Sequence, residues 1–133
     1  MKKVSLITLL LGLSLQSEAC TFSWTTYGDN TIRSLVAKEI GSHVTEEYCQ
    51  KFNKNHQIVI EFNAYVLRNM VAGHARVGIR KRGSNVLPVE SYASLTTDTN
   101  GRTQGAANDE AARATLNAID DLMSEIRSYK VSE

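Results

Sequence analysis

The sequence predicts an α+β fold, a two-layer sandwich in which an antiparallel β-meander, with room for one more strand at the N-terminus, packs against two helices. Three observations lead there. Apolar residues recur four apart from about Thr31 to Phe52 and resume helical spacing after Ala107, as helices with one buried stripe require. Between these segments, from His56 to Thr97, apolar and polar residues alternate, as in strands with one buried face. Helical and extended segments are also segregated along the chain, which favours a sheet with its helices on one face. The 133 residues suffice for one core, not two. A hydrophobic content of 42% and a charged content of 22% exclude disorder, collagen-like repeats and a coiled coil.

The first residues form a secretory signal. Met1-Lys2-Lys3 is the basic start, Val4 to Leu15 is the apolar stretch, and Gln16-Ser17-Glu18-Ala19 is the polar, small-residue cleavage region. That apolar run is shorter than the roughly 20 residues of a membrane span, and the mature chain holds no other of that length. Cleavage is expected after Ala19, giving a signal peptide over 1–19 and a single α+β domain over 20–133. Losing Lys2, Lys3 and Glu18 cancels the formal charge of +1, so the mature chain is neutral and lacks the broad basic field of a nucleic-acid binder.

Cys20 then opens the mature chain. It has three fates: a disulfide with Cys49, acylation as in bacterial lipoproteins, or a free thiol alongside a free Cys49. The lipoprotein pattern puts an apolar residue and a small one where Ser17 and Glu18 stand, so the disulfide is the expected state. It would close a loop of about 30 residues and contribute roughly 3 kcal/mol in an oxidising compartment.

Each element follows in order. Thr21 to Tyr27, β-branched and aromatic, reads as a first strand. Gly28-Asp29-Asn30 is a turn whose Asp29 or Asn30 can cap a helix. Ile32, Val36, Ile40, Val44, Tyr48 and Phe52 form the stripe of one helix of about six turns, ended by Asn53-Lys54-Asn55. Ile58, Ile60, Phe62, Ala64, Val66 and Met70 face the core from the next strand, and Ala72-Gly73 marks a reversal. A strand from about His74 to Arg82 turns Ala75, Val77 and Ile79 inward, and Arg82-Gly83-Ser84-Asn85 signals a tight hairpin. A strand from Val86 to Thr97 has Leu87, Val89, Ala93 and Leu95 on one face and Glu90, Tyr92 and Ser94 on the other. Pro88 puts it at an edge. Thr96 to Gly105 is a polar loop. The final helix carries Asn108-Asp109-Glu110 in its first turn and Arg127 and Lys130 near its end, an arrangement the helix dipole favours.

Catalytic signatures are missing. No Gly-x-Ser-x-Gly elbow, phosphate-binding glycine loop or complete calcium loop occurs, and no cofactor motif is present. His43 lies within a turn of Glu39 and Glu47, which permits a metal-binding or catalytic cluster as the alternative function, though no further ligand spacing supports it. The salient surface feature is basic. Arg68, Arg76, Arg80, Lys81 and Arg82 fall within fifteen positions free of acidic residues. His74, Arg76, Arg80 and Arg82 share one strand face, and Tyr65 and Tyr92 are expected on the same side. Such a face suits an anionic partner, either an acidic protein surface or an envelope component. Glu61 and Glu90 can instead pair with the arginines across strands, each pair contributing about 0.2–1 kcal/mol.

A signal segment ending at Cys20, a first helix, a β-meander and the Ala-rich helix Asn108-Asp109-Glu110-Ala111-Ala112-Arg113-Ala114-Thr115-Leu116 together resemble the YajG-type lipoproteins of the Gram-negative envelope. The layout is also similar to the lipopolysaccharide-assembly lipoprotein and to lipoprotein subunits of transport complexes. The resemblance implies a non-enzymatic envelope accessory protein and supplies no catalytic residue. Such a protein would reside in the periplasm or, through acylated Cys20, at the outer membrane. An immunity protein against a periplasmic toxin also fits the size and compartment.

Overall fold

A computed structural model describes residues 20–132; the expected signal segment lies outside the described residues. The elements are β1 (Trp24–Tyr27), α1 (Asn30–Ala37), α2 (Ile40–His43), α3 (Glu46–Lys51), β2 (His56–Val66), β3 (Val71–Lys81), β4 (Tyr92–Asp98) and α4 (Gln104–Ser124). The strands form one mixed sheet in the order β1-β2-β3-β4. β1 runs parallel to β2, while β2–β3 and β3–β4 are antiparallel. Parallel neighbours cannot be joined by a tight turn, and the α1–α3 segment is the crossover that joins them. The α+β two-layer expectation therefore holds, with the N-terminal strand included.

Register divides the sheet into two faces. Ile58, Ile60 and Phe62 of β2 stand opposite Ile79, Val77 and Ala75 of β3. All six are buried in one cluster with Ile32 and Val36 of α1 and with Ala111, Ala118, Ile119 and Leu122 of α4. Both long helices thus cover the same face. Asp29 caps α1 by accepting from the Thr31 amide at 2.7 Å, and Thr103 caps α4 by accepting from the Ala106 amide at 3.1 Å. Gly73 permits the closest approach of α4 to β3, since a Cβ there would overlap the backbone of Glu110 and Ala111.

The single six-turn helix expected over 31–52 is three short helices instead. A four-residue spacing advances about 40° per step on a helix of 3.6 residues per turn, or about 200° from Ile32 to Phe52. An unbroken helix would carry half of that stripe into solvent. Breaks at Lys38–Glu39 and at Val44, where ψ is 123°, reset the phase, and Ile32, Val36, Ile40, Tyr48 and Phe52 are all buried. Thr45 restarts the chain as the cap of α3, accepting from the Tyr48 amide at 3.4 Å.

The meander differs from expectation in two places. The β2–β3 reversal lies between Val66 and Val71, where the Leu67 amide bonds the Met70 carbonyl, so Ala72 and Gly73 are inside β3. No tight hairpin follows β3, and β4 begins only at Tyr92. The intervening chain folds back over the sheet: Pro88 is buried against Gly78, which has no side chain to block it. Arg76 fastens this strap, donating to Ser91 Oγ at 2.6 Å and to the Pro88 carbonyl at 3.0 Å. Leu87 and Val89, expected on a strand, are exposed on the strap. Beyond Val77 the outer side of β3 has no strand partner. There the Tyr129 hydroxyl accepts from the Ile79 amide at 2.9 Å and donates to the Glu90 carbonyl at 2.5 Å, tying the C-terminal segment to strap and sheet.

Candidate functional site

The sheet face opposite the helices carries the charged residues. Three cross-strand rows can be read from the register: Tyr27–Glu61–Arg76–Ala93, Asn63–His74–Leu95, and Tyr65–Ala72–Thr97. β-Strand alternation dictates this, because these positions are out of phase with the buried Ile58, Ile60 and Phe62. Glu61 and Arg76 approach to 3.7 Å, the cross-strand pair that the alternation anticipated.

Arg80 is the unusual member. It is only 7% exposed, yet no carboxylate of the described residues reaches ion-pair distance. The register sets it opposite Gln57, yet it meets the side chain of Tyr27: Nη1 donates to Tyr27 Oη at 3.0 Å and the guanidinium lies 5.7 Å from the ring centroid. Its Nε is buried without a hydrogen-bond partner among the described residues. A buried charge that lacks a counter-charge costs several kcal/mol. Two guanidiniums, those of Arg76 and Arg80, therefore meet a row that holds one carboxylate, Glu61.

The sequence-based site residues separate into three groups. His74, Arg76 and Arg80 share the open face. Arg82 lies past the end of β3 and spends its donors on backbone, giving to the His56 carbonyl at 3.0 Å and the Asn53 carbonyl at 2.6 Å. Tyr92 is a correction: opposite Val77, it faces the helix layer and sits 6.5 Å from the Tyr129 ring. Burial and nearby Glu90, Glu125 and Asp121 push its phenol upward. The error follows from starting the strand at Val86, because the strap resets the alternation before β4. Tyr27 was missed as a site residue. Its phase opposite Trp24 was legible, but its place beside Arg80 depends on the β1–β2 pairing.

The His43 cluster does not assemble. His43 Nδ1 lies 2.7 Å from Asp120 Oδ1 on α4. Glu47, beyond the Val44 break, accepts from Arg127, whose guanidinium holds the carboxyl below its usual range. Among the described residues no three His, Cys, Asp or Glu side chains are placed to hold a metal ion. Cys20 and Cys49 stand at disulfide distance, with Cα atoms 5.8 Å apart. No described helix is long and apolar enough to cross a membrane.

No family model and no curated protein matches the chain. Among solved structures, a chain from Caulobacter crescentus, provisionally described as a lipoprotein, is similar at 11% identity and a TM-score of 0.36. That similarity covers 80% of this chain and 85% of that one.

Proposed function

We propose that this chain is an exported, non-enzymatic accessory protein of the cell envelope that binds an anionic group of an envelope component on the open face of its sheet. The observation that carries the reading is Arg80. The fold buries a guanidinium beside Tyr27, leaves its Nε without a partner among the described residues, and places a second guanidinium, Arg76, in the cross-strand row of Tyr27 itself. A phosphate or carboxylate arriving at the rim formed by Tyr27, 45% exposed, and Arg76 supplies the missing counter-charge. Export rests on the N-terminal pattern. It agrees with Cys20 and Cys49 at disulfide distance, since such bonds persist in oxidising compartments.

Co-sedimentation tests the binding. Mature protein is spun with isolated peptidoglycan, with phosphatidylglycerol vesicles and with phosphatidylcholine vesicles as the uncharged control. Retention on at least one anionic support, falling at least fivefold in Arg80→Met, is the expected result. Equal retention of both proteins on every support, or none on any, rejects the reading.

A further inference from the structure

We propose that the outer edge of β4 pairs with β4 of a second copy of this chain, extending the sheet across a two-fold axis. β4 ends the sheet, and its outer edge meets no strand among the described residues. Exposed edges are normally guarded by proline, lysine or very short length. β4 is seven residues long, reads Tyr-Ala-Ser-Leu-Thr-Thr-Asp, and carries no proline and no charge before Asp98. β1, at the other edge, has only four residues. A second observation marks the centre of β4: Leu95 is 66% exposed on the open face.

The strand is self-complementary, which decides the occupant. In an antiparallel pair centred on Leu95, Tyr92 stands opposite Asp98, Ala93 opposite Thr97, and Ser94 opposite Thr96. No like charges meet, and the two Leu95 side chains cover each other. Directly opposite residues point to the same side of a sheet, so both open faces of the dimer look in one direction. The same two-fold sets α4, which packs over β4, beside its copy, widening the contact toward the roughly 800 Å² per partner of a stable interface. None of this depends on the anion reading.

Sedimentation equilibrium of the mature protein, with and without Leu95→Lys, is the test. Lysine is tolerated at so exposed a position in the monomer but places two like charges opposite each other at the axis. A native mass of twice the chain, with association weakened at least tenfold in Leu95→Lys and an unchanged circular dichroism spectrum, is expected. A native protein of single-chain mass up to about 0.2 mM, or a dimer that Leu95→Lys leaves intact, overturns the proposal.

Discussion

Replacing Tyr129 by Phe removes one oxygen from a site where that oxygen has two tasks. It accepts from the Ile79 amide at 2.9 Å and donates to the Glu90 carbonyl, holding the strap and the C-terminal segment on the unpaired side of β3. The ring keeps its edge-on contact with Phe52 at 6.2 Å and its neighbour Tyr92 at 6.5 Å, so no packing is lost. Ile79 is 1% exposed, and its amide has no route to water without local opening. An unsatisfied buried donor costs about 1–3 kcal/mol, whereas the half-buried Glu90 carbonyl can rehydrate. The expected loss is therefore about 2 kcal/mol, or a fall in Tm of about 8 °C for a chain of this size. Urea unfolding measures the first quantity, with an unchanged denaturant slope marking the effect as local to the native state. Hydrogen exchange then identifies the origin, because the Ile79 amide should lose protection while the β2–β3 ladder retains it. A loss below about 0.5 kcal/mol with Ile79 still protected would refute the reasoning.

The other perturbations act on separate parts of the molecule. Gly73→Ala forces α4 away from β3 and should cost about 3 kcal/mol, read by urea unfolding, because the obstructing atoms are helix backbone rather than a flexible side chain. Arg80→Met removes an uncompensated buried charge and should leave thermal stability unchanged or raise it by about 1 kcal/mol, even as anion binding is lost. Reducing Cys20–Cys49, a separation of 29 residues, should lower stability by about 3 kcal/mol, measured by unfolding with and without dithiothreitol. Burial raises the phenols of Tyr48, Tyr92 and Tyr129 above the ordinary value of 10.0. These groups bind protons more tightly when folded, so their stability is fully present below pH 10 and is lost as pH climbs toward the folded values. Melting temperatures recorded from pH 8 to 12 should stay level to about 10 and then fall.

Much of the architecture was legible because burial imposes periodicity. Ile58, Ile60 and Phe62, opposite Val77 and Ile79, needed only the two-residue alternation of a half-buried sheet. What escaped was phase. The Ile32–Phe52 spacing drifts around a helix, and a sequence does not state whether the chain follows the drift or breaks to correct it. Pro88 put the last strand at an edge, where β4 lies, but only the side-chain gap at Gly78 reveals that the proline itself packs on the sheet ahead of that strand. The Arg76–Glu61 row was readable from strand patterns, and Arg80 was readable as a basic residue on that face. Its burial beside Tyr27 arises from a parallel pairing between segments more than thirty residues apart, which no local pattern encodes.

The claim that Arg80 is a receptor for an anion can be tested at the atom concerned. Its Nε–H is buried, so in a proton–nitrogen NMR spectrum its exchange with water should be slow enough for the signal to be seen, and inorganic phosphate can be titrated against it. Anion binding at this site should produce a saturable shift of the Arg80 Nε–H resonance together with the Tyr27 ring protons, while exposed Arg33 and Arg127 change little. An Arg80 signal that stays fixed through the titration, or that moves only as much as those of Arg33 and Arg127, would contradict it.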